Sequence, residues 1–371
     1  MLAAVRSSIR TFPSLVVRFE RAARRFNVSS VVIWKRMIVL FLRYGFSPDE
    51  VAESDHVDPK VSPQEDAGSI GKRRLIRHQR RLNPTQWESL VEDKAVFYTY
   101  CRGAGLPIPE LYAVVDRKAG WIASGKVVSD RAEWERFFEH DLPQEFIIKP
   151  ADGTYGRGVE LYRRADASFE VRSGRRFSAA SLYESLQTNP TYKRFVIQER
   201  LFNHPEIQRL TGTKSVQTAR MPTWITKDGQ VEVYYASFKL ILGNNLIDNS
   251  DSGRTGNISS AVDPHSGELT AIIASSPDRI GYQVLPVHPV TGIEIAGTVL
   301  PHWSAARQLV ERAAHLFLPL RTIGWDVALT ATGPVLLEGN AWWDPFNHLR
   351  WPEHRKLERA RFMSRFTVDS Y

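Results

Sequence analysis

Apolar side chains at Ile33, Met37, Leu40 and Phe41 recur at the i, i+4, i+7, i+8 spacing of one helical face, so residues 1–46 read as helical. Ser47-Pro48-Asp49-Glu50 opens a second short helix, with Ser47 as its cap and Pro48 at the first helical position, where a missing N–H costs nothing. Residues 54–71 lose this periodicity and are rich in Asp, Pro, Ser and Gly, which marks a loop or linker. Beyond Asn83 the pattern changes. Residues 93–105 predict a helix stopped at Gly105, and Leu106-Pro107-Ile108-Pro109 predicts an extended exit from it. Apolar and β-branched runs predict strands at 111–115, 145–149, 159–162, 195–199, 216–223, 231–242, 323–330 and 335–338, with a helix at 134–138 between the first two. Strand runs with a few helices between them predict an α+β body.

Charge divides the chain unevenly. Its 371 residues carry 49 Lys+Arg against 41 Asp+Glu, a net +8. Residues 1–46 hold nine basic groups and one acid, Glu20, so that arm alone accounts for the +8 and the rest balances at zero. Two readings suit the arm: a surface helix with its arginines in water, which such charge patterns favour, or peripheral contact with an anionic membrane surface. The stretch 28–46 is broken by Lys35, Arg36 and Arg43 and predicts no membrane span. The first residues also lack the apolar run of a secretory signal. One cysteine, Cys101, excludes a disulfide scaffold and a cysteine-based zinc site. A cytoplasmic protein is expected, with a peripheral position at the inner face of the membrane as the variant. Lys72, Arg73, Arg74, Arg77, Arg80 and Arg81 lack the interleaved aromatics of a nucleic-acid platform and read as a solvated helix face, so no nucleic-acid partner is expected. With 43% hydrophobic and 24% charged residues, wholesale disorder is excluded, and the length suits two or three core-sized units.

Two segments carry candidate chemistry. Phe146-Ile147-Ile148-Lys149 runs into Pro150-Ala151-Asp152-Gly153-Thr154-Tyr155-Gly156-Arg157-Gly158. A strand ending in lysine fixes a cation in place, and the three glycines let the backbone approach a polyanion. The spacing is neither a dinucleotide fingerprint nor a Walker A loop, and alone it also fits a glycine-rich hairpin. The second segment pairs Ile323-Gly324-Trp325-Asp326-Val327-Ala328 with Gly333-Pro334-Val335-Leu336-Leu337-Glu338-Gly339-Asn340, an antiparallel hairpin turning at 331–334. Alternation puts Glu338 and Asn340 on one face. A three-residue loop would set Asp326 opposite Asn340, and a two-residue loop would set it opposite Gly339; both registers stand open. Two carboxylates and an amide oxygen suit magnesium held against phosphate oxygens better than zinc. Both acids sit among apolar neighbours, where a charge needs a partner.

Taken in order, Lys149 with its glycine loop, Val196-Ile197-Gln198-Glu199-Arg200-Leu201, and Asp326 followed by Glu338-Gly339-Asn340 resemble the ATP-grasp superfamily. Lys-Pro-Ala-Asp-Gly, Ser215, Thr218, Arg220, Asp248-Asn249 and Gly324-Trp325-Asp326-Val327-Ala328 resemble more specifically the sugar-transfer-associated ATP-grasp proteins, over residues 93–344. The resemblance implies an ATP-grasp fold: two α+β subdomains, residues 93–200 with the glycine-rich flap and 201–371 with the metal cluster and a C-terminal helix. A basic, mainly helical region and linker, 1–92, precedes them. The resemblance also implies ATP and Mg2+. Lys149 would meet the α-phosphate or adenine, Lys94 a second phosphate, and the loop with Asp152, Gly153, Thr154, Gly156, Arg157 and Gly158 would cover the β- and γ-phosphates. Gln198, Glu199 and the backbone of Leu201 would line the adenine pocket, and Glu206 or His204 would hold the ribose. Asp326, Glu338 and Asn340 would bind one or two magnesium ions. Arg220 and Lys239 would reach the γ-phosphate or an acyl phosphate.

The activity so implied is a ligase that activates a carboxylate as an acyl phosphate and joins it to an amine, an amino acid or amino sugar. In dipeptide-forming members of the superfamily an arginine stands two residues before the first metal carboxylate. Here that position is Gly324, so Arg220, Arg254 or Arg350 must substitute, or the chemistry differs. The segment 248–257 departs too, with Gly253-Arg254-Thr255-Gly256 where paired glycines are usual. Two alternatives remain: a kinase acting on a hydroxyl, and a non-catalytic nucleotide-binding protein. His265, His288 and His302 read as loop histidines, and Cys101 as packing. Trp342, Trp343 and Phe346 read equally as a substrate-facing wall or as core.

Overall fold

The computed structural model describes residues 15–61, 70–243, 245–248, 255–345 and 362–366. Among the described residues, sixteen strands form two antiparallel sheets of eight. The first contains β1 (Leu111–Asp116), β2 (Gly120–Ile122), β3 (Val127–Val128), β4 (Glu145–Pro150), β5 (Glu160–Ala165), β6 (Ser168–Val171), β7 (Arg176–Phe177) and β8 (Arg194–Glu199). Its order is β3-β2-β1-β8-β4-β5-β6-β7. The second contains β9 (Thr218–Ile225), β10 (Val231–Glu232), β11 (Ala236–Leu240), β12 (Ile258–Val262), β13 (Leu269–Ser275), β14 (Tyr282–Leu285), β15 (Thr322–Thr330) and β16 (Gly333–Asn340). Its order is β14-β13-β12-β11-β9-β15-β16, with β10 also on β9.

The period of two decides what each sheet face does. In β4, Phe146 and Ile148 enter a core with Trp134, Phe138 and Leu182 from the helices Arg131–His140 and Ala179–Gln187. Ile147 and Lys149, on the opposite face, line a cavity. In β15, Trp325, Val327 and Leu329 join the main core under the helices Lys94–Gly103 and Trp303–Leu316, while Asp326 turns to the same cavity. The cavity is thus walled by polar positions of the two sheets, with apolar residues of both, such as Val196 and Trp325, joined in the main core beside it.

Helix ends follow the expected cap chemistry. Ser47 and Glu50 form a reciprocal capping box, and Asp93 accepts the N–H groups of Ala95 and Val96. Gly105 takes φ +64°, a conformation that ends the Lys94 helix cheaply only with glycine. Helices span 15–25 and Ser30–Val39, followed by a π turn at Leu40–Tyr44; residues 1–14 of the expected helical arm lie outside the described residues. The same holds for 62–69 of the expected linker, which otherwise contains a 3-10 turn at Asp55–Val57.

Two expectations need correction. The strand expected at 231–242 is broken into β10 and β11, and Tyr234 and Tyr235 at the break pack against Phe362. The hairpin takes neither expected register. A two-residue turn pairs Thr330 with Gly333, and a bulge between Asp326 and Val327 then shifts the pairing by one, setting Asp326 opposite Glu338 and Gly324 opposite Asn340.

Candidate active site

The bulge makes the site. Directly opposed residues share a face, so Asp326 and Glu338 project side by side. Asp326 is deeply buried, and Arg220 of β9 grips it with two bonds, Nε to Oδ1 at 2.6 Å and Nη2 to Oδ2 at 2.9 Å. Lys239 of β11 adds a third contact at 2.9 Å. Burial alone would raise the Asp326 carboxyl, but Arg220 and Lys239 outweigh it and hold the group far below the usual carboxylate range. Lys239 also lies 3.6 Å from Asp248, whose carboxylate accepts both the N–H and the hydroxyl of Thr218.

The opposite wall is cationic and fixed by hydrogen bonds. Lys149 is buried and donates to the Tyr98 hydroxyl at 2.6 Å; that hydroxyl donates in turn to the Leu337 carbonyl at 2.8 Å. Burial pushes the Lys149 ammonium down to about 7, with Glu338 pulling the other way. Lys94 donates to the Gly153 carbonyl at 2.7 Å and stands 3.6 Å from Glu338. It therefore tethers the glycine loop to the carboxylate hairpin. In that loop Thr154 and Gly156 face the cavity, and a Cβ on Gly156 would meet the Ile247 side chain at 2.4 Å.

These residues enclose a cavity of about 470 Å3. Lys94, Lys149, Gly153, Thr154, Gly156, Gln198, Glu199, Leu201, Arg220, Lys239, Asp326, Glu338 and Asn340, all expected from the sequence, line it. Others do not. Asp152 and Arg157 are exposed, and Gly158 packs on Pro150 and Tyr192 outside the lining. Glu206 is exposed at the start of the helix Pro205–Thr211, whose first turn the His204 ring caps; neither residue lines the cavity. Arg254, Arg350 and Phe346 lie outside the described residues.

Among the residues at the cavity that escaped the sequence reading are Lys72, Glu92 and Asp344, with Tyr98 behind the lining. Tyr98 lies beneath Lys149 as a buried partner, and the other three line the wall. The basic run at 72–81 is a solvated face for Arg73, Arg74, Arg77, Arg80 and Arg81, but Lys72 is half-buried, paired with Asp344 and in reach of the Tyr155 hydroxyl at 3.5 Å. A lysine at the first position of a helix carries no local signal for this; its role comes from the packing of that helix end. Trp342 faces the cavity and bonds Glu88, whereas Trp343 is core, its ring N–H on Thr322. Cys101 is buried as packing, and burial raises its thiol to about 12.

The donor chemistry fits a nucleotide with a hard cation. The buried amide oxygen of Gln198 has no hydrogen-bond partner among the described residues, an orphan acceptor facing a ligand-sized space. Asn340 donates its amide N–H to the Gly324 carbonyl at 3.1 Å, which leaves its oxygen uncommitted by that bond, and it lines the cavity with Glu338. Glu338 is one-third exposed and meets its lysine only at 3.6 Å, so it retains coordination capacity. Asp326 is shared with Arg220 and Lys239. Among the described residues no group of three or more His, Cys, Asp or Glu side chains is placed to hold a metal, so any ion here needs the Asn340 amide or a ligand oxygen to complete its shell.

An antiparallel pair of sheets clamping a cavity between a glycine loop and a carboxylate hairpin is the arrangement of an ATP-grasp fold. Residues 73–348 match the family model for sugar-transfer associated ATP-grasp proteins, and the chain belongs to that family. The match begins ahead of Asp93 and takes in the helix Lys72–Leu82 from its second residue. No curated protein matches the chain. Solved structures similar in fold include an N5-carboxyaminoimidazole synthase from Aspergillus clavatus in complex with ADP and 5-aminoimidazole ribonucleotide (14% identity, TM-score 0.36, 69% of this chain and 46% of that one). An ATP-grasp ligase with Mg, ADP and a phosphomimetic variant of a minimal precursor is another (14%, 0.37, 83% and 64%). A third is D-alanyl-alanine synthetase A from Vibrio cholerae (10%, 0.41, 76% and 66%). The chain spans about half to two thirds of the length of these structures.

Proposed function

We propose that the protein is an ATP- and magnesium-dependent ligase that activates a carboxylate and joins it to an amine, the acceptor being an amino acid or an amino sugar of envelope-glycan or secondary metabolism. The observation that carries this reading is the convergence of Lys94, Lys149 and the glycine loop with Asp326, Glu338 and Asn340 on one cavity. Magnesium, when bound, would draw charge from phosphate oxygens and hold them in line for transfer. Glu338 and Asn340 would hold it, with Asp326 shared. Transfer from a triphosphate to a carboxylate brings anion to anion, and the chain meets this with cations on both walls: Lys94 and Lys149 on one, Arg220 and Lys239 on the other. The loop bearing Thr154 and Gly156, with Gly156 close to Ile247, would cover the cavity against water, which an activated acyl group requires.

A kinase reading keeps one specific support. At Gly324 a Cβ would stand 2.6 Å from the Trp343 Cβ, so the position has no room for the arginine of the dipeptide-forming relatives. The described arginines on the cavity lining are Arg220, already engaged with Asp326, and Arg200, paired with Glu145. Incubation with 18O-labelled carboxylic acids and amines separates the readings. A ligase releases labelled phosphate only when acid and amine are both present, while a kinase leaves the γ-phosphate on a hydroxyl product. Full turnover by an Asp326→Ala, Glu338→Ala double variant would remove the proposed site from both.

A further inference from the structure

The helix Ser30–Val39 and the π turn after it bury Ile33 and Leu40 against Phe19 and Phe46. Their solvent side consists of Val31, Val32, Lys35, Ile38, Val39, Leu42 and Arg43, the i, i+1, i+4, i+7, i+8, i+11, i+12 positions of one helical stripe. Five of these seven are aliphatic, each at least 40% exposed, and Leu42 reaches 75%. A surface helix ordinarily presents polar residues there, so both faces of this one are apolar.

The border of the stripe is cationic. Lys35 and Arg43 lie within it, and Arg73 from the neighbouring helix covers the Phe41 ring at 4.2 Å. The sole acid between residues 15 and 46 is Glu20, which accepts the Ser30 hydroxyl at 2.8 Å.

We propose that this stripe seats the protein on an anionic lipid surface, with the helix in the plane of the headgroups, its valines, Ile38 and Leu42 among the acyl chains and its cations on the phosphates. The span from Val31 to Leu42 is roughly 16 Å at the helical rise, enough for in-plane docking. No helix among the described residues is long and apolar enough to cross a membrane, so the contact is peripheral. A second copy of the chain fits less well. A twofold interface through this stripe would set Lys35 and Arg43 against the same cations of the partner, with no acid on the stripe to offset them. Anionic headgroups supply that counter-charge. The inference does not rest on the nucleotide site.

Co-sedimentation of the full chain with vesicles tests it. We expect binding to equal parts phosphatidylcholine and phosphatidylglycerol, little to phosphatidylcholine alone, and weakening with salt. Leu42→Glu and Ile38→Glu, both at exposed positions and so compatible with folding, are each expected to lower partitioning about tenfold or more. Lys35→Glu with Arg43→Glu should weaken binding to the anionic vesicles selectively. Equal binding to neutral and anionic vesicles, or none to either, overturns the proposal. So does light scattering that shows a dimer dissolved by Leu42→Glu, which would assign the stripe to a second copy.

Discussion

Asp326 is where the charge of the cavity is concentrated, because its two oxygens serve Arg220 and Lys239 while its backbone lies in a strand buried on both faces. Asp326→Asn keeps the shape and removes the charge, leaving Arg220 without its anion and Lys239 with only Asp248 at 3.6 Å. The expected loss is about 3–5 kcal/mol of folding stability, the range for removing one partner of a buried pair. The midpoint of urea unfolding reads it, and an unchanged midpoint would show the pair to be solvated. Lys149 is the converse case, a cation whose burial works against its charge. Its folded value of about 7 lies below its ordinary 10.5, so the unfolded chain binds the proton more tightly in that window. Stability from this group therefore rises as pH climbs from about 7 toward 10.5, and the full penalty persists below about 7. Lys149→Met is expected to raise the melting temperature at pH 6, and by less at pH 9. The same variant should weaken nucleotide binding roughly 10–100-fold, the worth of a charge-assisted contact. A variant that lost both stability and binding would point to a structural lysine instead.

At the scale of elements, the flap and the hairpin depend on backbone geometry that only glycine supplies. Gly156 combines φ +69° with a closest approach to Ile247. Gly156→Ala should therefore penalise the docked flap by about 1 kcal/mol, a roughly fivefold rise in KM for nucleotide, with little change in melting temperature. A KM equal to that of the parent would mean that the loop does not dock during turnover. The loop, the strand before it and the late hairpin were legible in the sequence because each combines a local period with residues that suit one chemistry. The face on which Asp326 lies was not legible, since the one-residue bulge that aligns it with Glu338 leaves no mark in composition. Short strands such as β3 and β7, two residues each, carry too little pattern to be seen, and the small polar side chains of β12 hide a strand that only its neighbours specify. Lys72 and Tyr98 were invisible for a related reason: each meets the cavity through contacts distant in sequence.

For the whole molecule, the decisive feature is that the two sheets meet at the cavity, the first sheet's outer face having a core of its own and its inner face sharing Leu111, Val114 and Val196 with the main core. Lys149 and Gln198 belong to one sheet, Arg220 and Asp326 to the other, so a ligand that touches all four adds polar links to the apolar packing that already joins the sheets. Seven cationic and six acidic side chains line the space. That near balance disfavours a bare polyanion, which the acids would repel, and favours a polyanion carrying its own divalent ion. Two consequences can be separated by thermal unfolding. A non-hydrolysable ATP analogue with magnesium should stabilise the protein by about 2.7 kcal/mol when the ligand stands a hundredfold above its Kd. Stripping magnesium with a chelator should remove most of that gain, because the acids then face the phosphates without a bridge. In the Asp326→Ala, Glu338→Ala double variant the order should reverse: the analogue alone binds better than it does to the parent, since two repelling charges are gone, and magnesium adds nothing. A double variant that still responds to magnesium would place the ion elsewhere, and the carboxylates would then serve only to hold Arg220, Lys239 and Lys94 in position.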